Sequence, residues 1–406
     1  MPLAILRNAS FLRLYLAQVV SLLGDAFTWV GLAILAFRLA GDRAPVVLGT
    51  ALTVRVLAFV LFSPIAGALA DRLDRKLILV TCDIGRLLVV ALIPLVTSEW
   101  PLYALAFALN VFTAFFTPTN QASVLLVTSP KEAGPAFGLS SATAELIGVA
   151  GPAVAGILAA LVGWRSLFLF DAGSYLISAL LIFMVPISLR VTRGRGARET
   201  TALQDALQGT RRLWRDQQTR FALLMELVAA IAGALVLVNT ITHVKAVLGL
   251  GDAAYGTLMA VYGAGAALAS LAFVWLGRRM ARVTFTLIGA LVTTLAVLPA
   301  DLSGYAALLA LWLVAGFGQN WTGLPTVTLL AERAPEGAQG GIFGAHFAWS
   351  HLWWAFAYPL AGWLGVVAPN RAFLYGALIA GAVFTLVVLV VPAGGRRAEP
   401  RADLAP

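Results

Sequence analysis

Asp25, Arg55, Glu145, His346 and His351 each sit inside a long apolar stretch of this 406-residue chain. An ionisable group held in such surroundings is costly, so these side chains set the chemistry to be explained. Asp25 and Arg55 occupy consecutive apolar runs at depths that differ by about 4–5 Å on a helical rise, close enough for a pair. That pair has two readings: Asp25 takes up a proton as Arg55 releases it, or the two form a permanent structural bridge. Glu145 lies about 13 Å from the nearer end of its run, with no cation close in sequence, so it is either a carboxyl facing a water-filled cavity or a protonated one packed between helices. His346 and His351 stand among Trp349, Trp353 and Trp354. Imidazole ligates nickel, cobalt and zinc and titrates near neutrality, so metal ligand, proton carrier and helix packing all stay open. Positions i and i+5 on a helix point about 140° apart, so the two histidines need other helices to share one ion. Asp83, Arg86 and Glu226 lie nearer the ends of their runs, placed to be solvated or tied to loops, and Asp171 near the end of its own; structural roles are expected for all four.

The elements that must position these groups are membrane-length. The chain is 60% hydrophobic and 12% charged, far from the quarter charged of a soluble domain. Its apolar runs are continuous rather than alternating, which indicates helices and not a barrel. Spans of about 20 residues read at 11–37, 46–70, 77–97, 101–127, 136–160, 166–189, 219–247, 253–276, 283–300, 304–331, 339–366 and 372–392. Of 28 Lys and Arg, 22 fall on the side of the termini and five on the other. By the positive-inside rule both termini are expected in the cytoplasm of a cell bounded by this membrane. The net charge of +9 is therefore topological, and no nucleic-acid partner is expected. Met1–Ser10 is too short for a cleavable leader, and a single cysteine, Cys82, excludes internal disulfides and cysteine-cluster metal sites.

The polar stretch 190–218 divides the chain into a six-span bundle at 1–189 and a second at 219–392, with a cytoplasmic tail at 393–406. It reads as a linker holding a short amphipathic helix around Leu203–Trp214. The halves repeat: Gly49-Thr50 recurs as Gly256-Thr257, Pro118-Thr119 as Pro325-Thr326 and Pro152 as Pro359, each 207 residues on. Phe137-Gly138 and Arg165 recur at 206, as Phe343-Gly344 and Arg371. A parallel duplication of this kind places a solute site between two pseudo-symmetric bundles near mid-membrane.

Between the second and third spans runs Gly67-x-x-x-Asp71-Arg72-x-x-Arg75-Lys76, and in the fifth runs Gly148-x-x-Gly151-Pro152-x-x-x-Gly156. With twelve spans in a 6+6 repeat, these resemble the loop 2–3 and span 5 signatures of the major facilitator superfamily, most closely its drug and siderophore exporter branches. Asp74 stands where many members have glycine. The histidine- and tryptophan-rich run 345–363 is similar, locally, to the nickel-resistance type of exporter. The resemblance implies an all-α fold of two six-helix bundles and places spans 1, 4, 7 and 10 around a central cavity. Gln18, Asn110, Thr117, Asn239, Gln319, Asn320 and Trp321 are then its candidate lining. Asp71 would sit against the start of span 11, where a carboxylate meets a helix N-terminus, with Arg75 and Lys76 bonding helix ends or Asp83. Such contacts would latch the halves on the cytoplasmic side; the alternative is a loop that only sets topology. The equivalent stretch of the second half has Arg278 in place of Asp71, so the latch is one-sided. Gly148, Gly151 and Gly156 permit close helix approach and Pro152 bends the helix.

No HExxH, GxSxG, Walker or CxxC sequence occurs, so neither an enzyme nor a nucleotide-driven pump is expected, and no cofactor. The expectation is a proton-coupled secondary exporter of a small toxic or amphiphilic solute, monomeric in the cell membrane, with efflux of divalent metals such as nickel or cobalt as the alternative.

Overall fold

A computed structural model describes residues 2–70, 73–186, 202–277, 279–333 and 339–391 of the chain. Among these residues the chain forms thirteen α-helices. The first six are α1 (Ala9–Ala40), α2 (Ala44–Ala70), α3 (Arg75–Leu92), α4 (Glu99–Val127), α5 (Pro130–Val162) and α6 (Trp164–Phe183). A short amphipathic helix, α7 (Ala202–Arg215), precedes the second six. These are α8 (Gln217–Thr242), α9 (Asp252–Leu276), α10 (Arg282–Val297), α11 (Tyr305–Arg333), α12 (Gln339–Val367) and α13 (Ala372–Val390).

Each expected span is a helix, and local chemistry moves the ends. Asn8 caps α1 by accepting from the amides of Ser10 and Phe11, both at 3.1 Å, and its Nδ2 donates to the carbonyl of Val127 at the end of α4. The N-terminus thus lies beside the end of the fourth helix. Helix α5 starts six residues earlier than hydropathy suggests, because Ser129 and Glu132 form a reciprocal capping box ahead of the apolar run. Helix α8 continues past Thr242 into a π-helical turn at His243–Val247. The outward faces remain apolar: Leu77, Leu161, Leu271, Val274 and Leu389 are all exposed. Such a belt is stable only against lipid. By length and composition, eight described stretches suit a membrane crossing, one of them running through α1 into α2.

Packing repeats the sequence duplication. In the first bundle α1 packs on α5 and α6, α2 on α4, and α3 on α4 and α6. In the second, α8 packs on α12 and α13, α9 on α11, and α10 on α11 and α13, which is the same pattern one repeat on. The bundles meet through α2 against α12 and α5 against α9. Helix α7 docks under the second bundle, with Leu213 buried against Leu330, Ile342 and Ala345 and Trp214 edge-on to Trp349 at 5.0 Å.

Backbone touches backbone where the bundles meet. A Cβ at Gly256 would lie 2.6 Å from the Cα of Gly156, and one at Gly362 would lie 2.7 Å from the carbonyl oxygen of Pro45. Only glycine permits this approach. Both contacts lie in the half of the membrane away from the termini and α7, here called the far side.

Candidate functional site

Between the bundles lies a cavity of about 390 Å³. Its walls come from α1, α2 and α5 on one side and α8, α9 and α12 on the other. Helix spacing explains the lining: Tyr255, Met259, Tyr262 and Ala266 recur every three or four residues on α9, and Leu48, Leu52 and Arg55 do so on α2. Trp29 and Tyr358 complete an aromatic wall. Arg55 is the one charged side chain in the lining among the described residues.

A smaller compartment within the first bundle shares Trp29, Leu52 and Arg55 with the central cavity and adds Asp25, Thr28, Asn110, Thr113 and Tyr175. Asp25 and Arg55 therefore face one space, yet they do not form the expected pair: no ion pair within 4.0 Å joins them. Instead the Tyr175 hydroxyl donates to Asp25 Oδ1 at 2.5 Å, and the Arg55 guanidinium lies 3.8 Å from the centre of the Trp29 ring. Matching depth on two helices left their rotation undetermined, and rotation set the partners.

Behind this compartment is a charged network that corrects the placement expected for Asp83 and Arg86. Both are fully buried rather than solvated, at 0% and 1% exposure, and Asp171, expected to be structural, is buried at 0% beside them. Arg86 bonds Asp83 one turn away on α3, and its guanidinium lies between the rings of Phe116 at 3.9 Å and Tyr175 at 4.3 Å. Ser178 of α6 donates to Asp83 at 2.7 Å. Asp171 accepts from Thr28 of α1 and from Ser174. Pairing and hydrogen bonds are what make charges tolerable at this depth. Glu226 is likewise not left to solvent, since it holds His346 Nε2 at 3.0 Å.

The remaining expected residues divide. Asn110 lines the small compartment while bonding the carbonyl of Ala106 in its own helix at 2.7 Å. Asn239 donates to Ala361 across to α12 at 3.0 Å, and Trp321 donates to Ala269 on α9 at 2.9 Å. Asn320 accepts from Ser270 at 3.3 Å. These three fasten helices together and do not line the central cavity. Gln319 packs behind Gly233, while Gln18 is half-buried and Thr117 exposed on their helices, all three outside the cavity lining.

His351 Nδ1 is bonded to the carbonyl of Phe347 at 2.8 Å, and among the described residues no three His, Cys, Asp or Glu gather as a metal site.

Gly67 lies in α2, while Asp71, Arg72 and the side chain of Glu145 lie outside the described residues. Arg75 donates to the carbonyl of Ala122 at 2.8 Å and Lys76 to that of Val185 at 2.6 Å. Those bonds tie α3 to α4 and to the end of α6 within one bundle. In the span 5 motif, Gly151 faces Ala26 of α1, Gly156 faces Gly256, and Gly148 has open space where a Cβ would be. Gly148 serves by exposing its carbonyl to Gly263 of α9, at 2.7 Å from a Cβ built there. The aromatic face of α9 escaped the sequence reading, although its spacing was visible there.

The family model of the Major Facilitator Superfamily matches residues 14–244 and 222–405. The uncharacterised MFS-type transporter YfiS of Bacillus subtilis is 27% identical over 97% of this chain and 95% of its own length. Macrolide efflux protein A of Streptococcus pyogenes is 25% identical over 44% of each chain. Multidrug resistance protein MdtG of Proteus mirabilis is 33% identical over 30% of this chain and 31% of its own. Among solved structures, the nucleoside transporter NupG superimposes with a TM-score of 0.76 at 14% identity, covering 94% of this chain and 98% of that one. A bacterial homologue of the human lysosomal transporter Spinster, inward-facing and unoccupied, gives 0.73 at 15% identity, covering 95% of each. The chain belongs to the major facilitator superfamily and is a multi-pass membrane transporter, not an enzyme.

Proposed function

We propose that this chain is a secondary active exporter that carries a small amphiphilic organic solute across the cell membrane by alternating access, driven by proton entry. The observation that carries this reading is the central cavity, walled by both bundles and bounded on the far side by the glycine contacts of α2 with α12 and α5 with α9. The charge count makes the far side the outside, with both termini cytoplasmic, so the glycine contacts close the cavity on the outer side. Export is supported by relatives named for multidrug resistance and macrolide efflux. Asp25 is the proton site of this scheme, since it faces the compartment that Arg55 and Trp29 share with the solute cavity. The loop 67–76 then serves as the inner gate, and the linker at 190–218 joins bundles that rock about the cavity. The metal alternative draws no support, because His346 and His351 have other partners and the charged lining residue is a cation.

The test is accumulation of a panel of amphiphilic antibiotics and dyes in cells expressing the chain or its Asp25→Asn variant. Lower accumulation with the parent chain, lost in the variant, is expected. Equal accumulation of the whole panel in both would reject export.

A further inference from the structure

We infer that the solute taken by this cavity is an amphipathic organic anion, a single carboxylate, sulfonate or phosphate on an aromatic or alkyl body, and that Arg55 selects it. The inference rests on the central cavity being the solute site proposed above. Arg55 makes no direct ion pair among the described residues: none of their carboxylates lies within 4.0 Å of it and no hydrogen bond holds it, although Asp25 faces the same compartment. Its neighbours are ring faces, Trp29 at 3.8 Å and Phe59 at 5.9 Å. The same bundle neutralises its other deep cation, pairing Arg86 with Asp83, so an unpaired guanidinium is not the chain's general habit. The carboxylate that shares a compartment with Arg55, Asp25, is bonded to the Tyr175 hydroxyl instead.

A guanidinium with no direct partner, on the cavity side of a wall of largely apolar groups, creates a local positive potential that water screens weakly. An incoming anion gains from it and supplies the missing counter-charge, whereas a lipophilic ammonium or a metal cation is repelled. The planar fork of arginine matches a carboxylate or a phosphate in two parallel bonds. Beyond the guanidinium the walls are Trp29, Tyr255, Met259, Tyr262 and Tyr358, which suit a ring or an alkyl chain. A volume of about 390 Å³ is at the small end of drug-sized sites.

The test uses the full chain, purified and held in phosphatidylcholine nanodiscs, with three radiolabelled probes of one shape at neutral pH: 1-naphthylacetate, 1-naphthylacetamide and the 1-naphthylethylammonium ion. The carboxylate is expected to bind about tenfold or more tighter than the ammonium probe, the scale of one well-placed charge contact. Arg55→Gln should bring the carboxylate down to the level of the amide while leaving the amide unchanged, which also shows that the cavity survives. Arg55→Lys, which keeps the charge but loses the fork, should keep the order of the probes with weaker carboxylate binding. The inference is overturned if the ammonium probe binds as well as the carboxylate, if Arg55→Gln weakens all three probes alike with Arg55→Lys unchanged from the parent, or if no probe binds. Uptake of 1-naphthylacetate into everted vesicles separates the two proposals. Arg55-dependent binding without uptake rejects the exporter and leaves the anion site standing.

Discussion

Gly256→Ala probes the closure of the far side with the smallest possible wedge. The new Cβ would lie 2.6 Å from the Cα of Gly156 and 2.6 Å from the carbonyl oxygen of Pro152, against ordinary contacts that begin at 3.4 Å. Both obstacles are backbone, so no side-chain rotation relieves them, and α5 and α9 must part by roughly 0.8 Å. Overpacking of this kind costs about 1–3 kcal/mol. The cost falls only on the state in which these helices touch, so the ratio of far-side-closed to far-side-open molecules should drop by about 5–150-fold. Spin labels at Arg43→Cys and Asn370→Cys, exposed on opposite bundles at the far side, report the separation in a Cys82→Ser background. Double electron–electron resonance should show a longer-distance population in Gly256→Ala. Gly381→Ala, whose Cβ meets nothing within 4 Å, should leave the distribution as in the parent. A distribution in Gly256→Ala that matches the parent would refute the idea that α5 against α9 closes this side.

Arg86→Leu strands the buried Asp83 carboxylate and should cost about 3–5 kcal/mol, read as a lower unfolding midpoint of the purified protein. Adding Asp83→Leu should recover most of that loss, and a single variant as stable as the parent would mean the pair is not structural. Trp312→Phe removes the indole bond to Thr240 Oγ1 at 3.0 Å and should lower stability by about 1 kcal/mol in chemical unfolding, with transport retained. His346→Ala and His351→Ala should leave the nickel sensitivity of expressing cells unchanged; increased sensitivity in either would restore the metal reading. Asn239→Ala cuts a bond between α8 and α12 rather than a cavity contact, so it should lower thermal stability while leaving the relative affinities of the three naphthyl probes as they were.

The candidate site was legible only in part. The depth of Asp25 and Arg55 followed from counting residues along their helices, and the structure does place both on one compartment. Their partners did not follow, because Tyr175 reaches Asp25 from 150 residues away. Asn239 and Trp321 were marked as cavity groups because they are polar-tipped and sit on spans the resemblance places around the cavity, yet a buried polar group in lipid must first satisfy itself, and these do so across helix contacts. Gly148 and Gly156 look equivalent in the span 5 motif, but one exposes a carbonyl and the other bears a backbone contact. Asp83 and Arg86 stand three residues apart on α3, but the sequence reading placed them near solvent and missed the buried pair, since their burial depends on α6 and α4 covering that face of α3.

Hydropathy and the positions of caps and prolines are local properties, and they were enough to determine the helices, their number and their pairing into two repeats. The 207-residue offset even anticipates which helices pack together, because duplicated sequence duplicates its contacts. What the tertiary structure alone decided is rotation: which face of each helix turns to the cavity, to a neighbour or to lipid. An apolar residue is stable on any of those faces, so hydropathy cannot distinguish them. Rotation is settled by packing of distant segments, and it is rotation that sets Arg55 against an aromatic wall with no ion-pair partner among the described residues.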